Sequence, residues 1–283
     1  KNGCYGCHTI KKYDGRRKAG PDLSRINEKV SPEWARKWIK DPRSFRHNTR
    51  MPSFFGQENN SSHEMVLRNN TEIFAIVEYL FKDTDKSKSK NDRKYLGNSD
   101  SGKDLFESVG CQGCHVIETE PVDEEVTTFT MLKRQGPNLI GLGSKTSAQW
   151  VYNWVKNPEK FWPDTRMPNL RLSKQEAKDI TAYLMTFTNA EFESSSDLEM
   201  RYEELQNIAS RWLMKMYPEK QADEILSEMD HEKMVNYVAE KSIRFYGCFG
   251  CHNIPGFEDA KPIGTELTME GSKPVEKLDF GHI

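Results

Sequence analysis

The chain has 283 residues, of which 36% are hydrophobic and 30% are charged, with a formal net charge of −2. This length suits two or three domains, but the apolar content is low for cores of that size. The near-neutral charge gives no electrostatic basis for binding nucleic acid, and no run approaches the ~20 apolar residues of a membrane span. We therefore expect a large apolar group outside the polypeptide to complete the cores.

All six cysteines fall in copies of one motif, Cys-x-x-Cys-His, at residues 4–8, 111–115 and 248–252. This spacing is typical of haem c, because the two thiols form thioethers with the porphyrin and the histidine binds the iron. A thioredoxin-like pair does not need that histidine, and a disulfide across so short a loop would be strained. A zinc site would have to unite cysteine pairs more than a hundred residues apart. We predict three haem c groups with these attachment and proximal residues: Cys4, Cys7 and His8; Cys111, Cys114 and His115; Cys248, Cys251 and His252.

The chain also contains an internal repeat, since residues 20–54 align without a gap with residues 136–170. Both copies contain Gly-Pro-x-Leu, two tryptophans four residues apart, and Thr-Arg-Met-Pro. The tryptophan spacing places both rings on one face of a short helix. In the first copy Ser31-Pro32 favours the start of that helix, and Asp41-Pro42 favours its end.

Met51 and Met167 are the predicted distal iron ligands. They occupy the same place in both copies, each followed by a proline. A buried methionine is often a gap-filler, but a thioether opposite a histidine is an established way to complete a haem site and raise its potential. His47 is a rival in the first copy, although it aligns with Pro163, which has no ligating atom.

Each unit resembles a class I, mitochondrial-type cytochrome c domain, with an attachment motif, Gly-Pro-x-Leu, a ligand methionine and a closing helix. The resemblance implies a mainly α fold of tandem cytochrome c domains, two complete and a third partial, with a helical spacer. It further implies that the carbonyl of Pro21 accepts a hydrogen bond from His8, and that of Pro137 from His115, which orients each ring. The closing helices correspond to residues 71–81 and 173–187.

These observations predict the following organisation: cytochrome c domain 1 at 1–85, a linker at 86–98, domain 2 at 99–190, a helical spacer at 191–230, and domain 3 at 231–283. In the resemblance a helix precedes each attachment motif. Residues 100–109, capped by Ser99 or Ser101, and residues 232–246 supply it for the second and third motifs. Only three residues precede the first motif, so its helix is missing and we expect more polypeptide upstream.

Two charged segments accompany the domains. Residues 118–131 form an acidic insertion, which is either a solvated loop, the interpretation we favour, or a docking surface. The basic run between residues 11 and 18 is either a solvated loop or the rim of a haem edge that steers an acidic redox partner.

The third unit departs from the pattern, because Gly264-Thr265-Glu266-Leu267 replaces Gly-Pro-x-Leu. In the other units the methionine follows the leucine by 28 residues, and counting from Leu267 gives position 295, beyond Ile283. Met269 is therefore expected to be a surface or packing residue. For the third haem we favour a methionine in downstream chain. The alternatives are a ligand from a partner, His282, or an open site.

The resulting hypothesis is an electron-transfer protein of an extracytoplasmic compartment, such as a bacterial periplasm, that relays electrons through three haems. The expected partners are redox proteins and other subunits of a larger membrane-bound complex, with no nucleic acid among them. The alternative is a haem enzyme or ligand sensor that uses an open third site, to which the other two haems supply electrons.

The methionine assignments make a direct prediction. Met51→Ala and Met167→Ala should each abolish the weak methionine-to-iron absorption of one haem and lower its reduction potential, because the thioether stabilises the ferrous state. Absorption spectra and redox titrations check this, and a variant that leaves both unchanged would refute the assignment for that methionine.

Overall fold

The computed structural model describes residues 4–47, 49–55, 58–82, 92–117 and 136–277. This part of the chain consists of helices and short connections and contains no β-strand, as the resemblance implied. The acidic insertion at 118–131, residues 86–91 of the linker, and His282 lie outside the described residues. Within them, no helix has both the length and the hydropathy required to cross a bilayer.

The α-helices of the described residues, in chain order, are α1 Ile26–Lys29, α2 Pro32–Lys40, α3 Pro42–Phe45, α4 His63–Leu80, α5 Ser99–Ser108, α6 Leu142–Lys145, α7 Ala148–Lys156, α8 Pro158–Phe161, α9 Lys174–Met185, α10 Ala190–Ser194, α11 Tyr202–Met214, α12 Glu219–Ser227, α13 His231–Tyr246 and α14 Cys248–Cys251. Short 3₁₀ turns lie between some of them, including Cys4–Gly6 and Cys111–Gly113 in the first two attachment motifs.

The two copies of the repeat have the same local structure. The Ser31 hydroxyl accepts a hydrogen bond from the Trp34 backbone N–H at 3.1 Å and caps α2; Ser147 caps α7 in the same way. In each copy the two tryptophan rings stack with centroids 5.2 Å apart. The predicted tryptophan-bearing helix is thus confirmed in both copies.

The cap of α5 differs from the prediction. Asn98, rather than Ser99 or Ser101, is the N-cap, and its side chain accepts from the Ser101 N–H at 2.8 Å. Asparagine is as good a cap as serine. The Asn98 backbone N–H is itself held by the Asp179 carboxylate at 2.7 Å, which fixes the chain at this position.

The second unit has its core where α5 crosses α9. Phe106, Val151, Ile180 and Leu184 are among its buried residues. Gly102 lies at the crossing, where its Cα approaches the backbone of Asp179. Because no side chain separates the helices at this position, their backbones come close together.

The other large core combines two distant parts of the chain. Helix α13 packs along α4 as α5 packs along α9, and Ile73, Val77, Val238 and Ile243 are completely buried between them. Phe249, Ile254 and Phe257 belong to the same cluster. Residues 20–81 and 231–257 therefore form one structural unit, which we call the composite unit. The expected boundaries, 1–85 and 231–283, do not coincide with its core.

The predicted helical spacer is also part of this core. Leu205, Ile208 and Leu213 of α11 are fully buried, and α11 packs against α13 and α4. Trp212 forms an edge-to-face contact with Phe245, with centroids 5.6 Å apart. The spacer thus stabilises the composite unit itself.

The crossing of α5 and α9 predicts that Gly102→Ala destabilises the second unit. The new methyl group would overlap the Asp179 backbone. Overpacking of this kind costs about 1–3 kcal/mol of stability, which exceeds the gain from alanine's better helix propensity. Thermal unfolding should show a lower melting temperature. Ser101→Ala, at the exposed neighbouring position, is the matched control; equal melting temperatures for the two variants would contradict the prediction.

Candidate haem sites

The second attachment motif shows the expected arrangement. His115 Nδ1 donates a hydrogen bond to the Pro137 carbonyl at 2.8 Å. The Gly136 N–H donates to the Cys114 carbonyl at 2.9 Å, and the Leu139 N–H to the Val116 carbonyl at 2.9 Å. Because the carbonyl of Pro137 holds the Nδ1 proton, Nε2 keeps its lone pair, which is the form that ligates iron.

The third motif forms the same bonds with the segment that begins at Gly20. His252 Nδ1 donates to the Pro21 carbonyl at 2.8 Å. The Gly20 N–H donates to the Cys251 carbonyl at 2.7 Å, and the Leu23 N–H to the Asn253 carbonyl at 2.9 Å. The prediction that Pro21 orients His8 is therefore wrong, since Pro21 orients His252.

The first motif is paired with residues 264–267 instead. His8 Nδ1 donates to the Thr265 carbonyl at 2.8 Å, and the Leu267 N–H donates to the Thr9 carbonyl at 2.9 Å. Threonine can replace proline here because the acceptor is a backbone carbonyl. Residues 264–267 do occupy the predicted Gly-Pro-x-Leu place, but they serve the first motif rather than the third.

Helix α13 supplies the physical reason for this exchange. A helix that packs along α4 and ends at an attachment motif brings that motif's histidine to Pro21. The third motif follows such a helix directly, through Gly247 with φ +67°. Burial of the α13–α4 contact therefore favours His252 at this site.

Both predicted methionine ligands are held by a tryptophan of their own copy. Trp38 Nε1 donates to Met51 Sδ at 2.9 Å, and Trp154 Nε1 donates to Met167 Sδ at 2.9 Å. Sequence reasoning missed this contact, although the spacing of 13 residues is identical in the two copies. Met269 is 61% exposed, in agreement with its prediction as a surface residue.

Burial favours the uncharged forms of His252 and Cys248 in the third motif. It lowers the pKa of His252, which favours the neutral ring, and raises the pKa of Cys248 to about 11. None of the six cysteines, all of them among the described residues, is paired in a disulfide, which agrees with their predicted use in thioether bonds.

The described residues fit a haem. Each histidine ring lies against a glycine, and a Cβ on Gly20 would lie 2.6 Å from His252 Nδ1, as one on Gly136 would from His115 Nδ1. Only glycine leaves room for the ring in this orientation. Trp34 Nε1 is buried and has no acceptor in the described part of the chain. An orphaned donor of this kind is costly, and a propionate oxygen would satisfy it.

Comparison with known families agrees with this chemistry. A family model described as Cytochrome c matches residues 99–188. A second model, described as Cytochrome C oxidase, mono-heme subunit/FixO, matches residues 10–100. No curated protein and no solved structure matches the chain. The two family matches support a c-type cytochrome with covalently bound haem c.

The composite unit predicts that a cut between its two parts does not separate them. When a protease recognition sequence replaces the exposed Ser194–Ser196, the two fragments should stay together after cleavage, because residues 231–257 are packed on residues 20–81. Gel filtration under native conditions checks this. The control is the same cut in Val238→Asp, which buries a charge in the α13–α4 contact and should release the fragments. If the two fragments separate after cleavage of the protein that retains Val238, residues 20–81 and 231–257 do not form one structural unit.

Proposed function

We propose that this c-type cytochrome is an electron-transfer protein that holds three haem c groups, with His8, His115 and His252 as proximal ligands. One observation supports the number of three haem groups. All three motifs form the same set of bonds, in which a histidine Nδ1 meets a carbonyl at 2.8 Å and a leucine N–H meets the carbonyl after the histidine at 2.9 Å. Three equally built proximal sites support three haems.

In the proposal Met167 would hold the haem iron together with His115, and Met51 together with His252. Met51 is assigned to His252 because His252 is the histidine that Pro21 orients. When bound, each haem supplies a one-electron couple between ferric and ferrous iron. Two protein ligands leave no iron position for a substrate, which favours electron transfer through the porphyrin edge over chemistry at the metal.

The protein's own residues hold these sites rigid and dry. The stacked Trp34 and Trp38 meet Phe45 edge-on, with centroids 5.3 and 6.1 Å away, and Phe192 packs on both Phe45, at 4.9 Å, and Trp34, at 6.0 Å. Close-packed aromatic walls exclude water and fix side-chain positions. A rigid, low-dielectric site undergoes little reorganisation when the charge of the iron changes.

The match to the oxidase subunit model suggests the partners. We propose that the chain exchanges electrons with other redox proteins as part of a membrane-bound, oxidase-type complex, on the extracytoplasmic side of a bacterial membrane. Of the basic run, Lys11, Lys12 and Arg16 are exposed and suit an acidic partner. Lys18 instead donates to the Phe249 and His252 carbonyls, and Arg17 stacks on Trp162, with its guanidinium carbon 3.7 Å from the ring centroid.

The alternative of an enzyme with an open third haem depended on a third unit that lacks its second half. The Pro21 and Met51 segment now stands in that place for His252, so this alternative would apply to the site of His8, to which no methionine is assigned.

The pairing of Met51 can be tested by removing one haem at a time. In a Met167→Ala background a single methionine-to-iron absorption should remain. Replacing Cys248 and Cys251 with serine should abolish it, because the haem that Met51 ligates is then no longer attached.

The matched control replaces Cys4 and Cys7 with serine in the same background, and the absorption should persist. The reverse pattern would show that Met51 ligates the haem of His8. Intact mass gives the number of attached haems in every variant. Fewer than three in the unaltered protein would contradict the proposed count.

A further inference from the structure

The first and third attachment motifs touch each other at their central glycines. A Cβ on Gly6 would overlap the Gly250 carbonyl oxygen, and a Cβ on Gly250 would lie 2.8 Å from the Gly6 oxygen and 3.4 Å from Cys7 Sγ. The second motif has a glycine at the same position, Gly113, and no atom of the described residues lies within 4 Å of its Cβ direction. Close backbone contact therefore requires glycine in the first and third motifs but not in the second.

Lys18 stabilises this contact between the two motifs. Its ammonium donates to the Phe249 carbonyl at 2.6 Å and to the His252 carbonyl at 3.1 Å, so the chain that leaves the first motif is tied to α14 of the third. Burial lowers the pKa of Lys18, against the opposing effect of Asp22. A cavity of about 220 Å³ lies at this junction and is lined by both motifs, including His8 and Gly250.

The second unit contacts the composite unit through a different face, formed by α1, α2 and α3. Lys145 lies over Trp34, 5.1 Å from the ring centroid, and Lys29 lies over Trp150 at 4.6 Å. In the repeat, Lys145 is the counterpart of Lys29, and Trp150 the counterpart of Trp34.

A second pair of contacts at this face is reciprocal in the same way. Arg25 lies over Phe161 at 4.8 Å, and its counterpart Gly141 packs on Phe45, the counterpart of Phe161. Such reciprocity is the property of a two-fold interface between copies of one surface. The two units are therefore joined as a pseudo-symmetric pair.

The motif contact and the reciprocal contacts place the composite unit between the other two sites, although Arg17, in the loop that leaves the first motif, also stacks on Trp162 of the second unit. From them we infer that the haem sites are ordered in space as His8, His252 and His115, and that Gly6 and Gly250 are positioning residues that hold the first two sites together for electron exchange. The inference rests on the proposed function, since it assumes that haems are attached. Each exchange oxidises one ferrous site and reduces one ferric site, and no proton or further reactant is needed.

The order in space differs from the order in sequence. The third motif lies between the other two because α13 and α14 complete the unit that the first repeat begins. His252 thus becomes the relay through which an electron passes between the other two sites.

The test compares Gly6→Ala and Gly250→Ala with Gly113→Ala. Each variant adds one methyl group at the same position of an attachment motif, but only the first two force motif backbones apart. In the fully oxidised protein we expect a magnetic interaction between two haems, seen by electron paramagnetic resonance as broadening and faster relaxation. It should be lost in Gly6→Ala and Gly250→Ala and retained in Gly113→Ala.

A further variant tests the same contact without altering an attachment motif, in case the glycine variants misfold. Lys18→Met keeps the aliphatic stem but removes the bonds to Phe249 and His252, so the interaction should weaken while all haems stay attached. Equal spectra for Gly6→Ala and Gly113→Ala, or an unchanged spectrum in Lys18→Met, would overturn the inference. Intact mass separates the two levels of failure: three haems without an interaction refutes this contact alone, whereas missing haems in the unaltered protein refute the proposed function.

Discussion

The hydrogen bond from a histidine Nδ1 to a backbone carbonyl is the interaction on which the candidate sites depend. It recurs at 2.8 Å for His8, His115 and His252. In each case a glycine lies against the ring and allows the carbonyl to come this close. The bond fixes the ring's orientation and leaves Nε2 for iron. Since the acceptor belongs to the backbone, Thr265 serves as well as Pro21 or Pro137, and the sequence around the bond can vary while its geometry stays the same.

Packing of helices decides which carbonyl each histidine meets. The α13–α4 contact buries Val238, Ile243, Ile73 and Val77 completely, and each such side chain contributes about 1.5–3 kcal/mol relative to exposure. The third motif follows α13 directly, so it reaches Pro21 as a consequence of that burial. The close approach of α5 and α9 at Gly102 is the equivalent in the second unit. In the second unit the attachment motif, Pro137 and both crossing helices all lie between residues 99 and 185.

The sequence predicts what is local and leaves undetermined what is distant. The attachment motifs, the Ser31 cap and the tryptophan pair were predictable because their partners lie within a few residues. The partner of Pro21 was not, since His8 and His252 have the same local motif and only the crossing of α13 with α4 distinguishes them. One signal was present: Ala239 lies nine residues before Cys248, as Gly102 does before Cys111. The reciprocal contacts of Lys29 and Lys145 also depend on docking, for which no local pattern exists.

The central claim is that residues 20–81 complete the haem site of His252. Nuclear Overhauser effects in the fully reduced protein, where six-coordinate haems are diamagnetic, test it most directly. With labelled histidine and glycine, the account predicts a cross-peak between the His252 ring Hε1 and the Gly20 α protons, because a Cβ on Gly20 would lie against that ring. A cross-peak from His8 to Gly20, together with one from His252 to Gly264, would contradict the account.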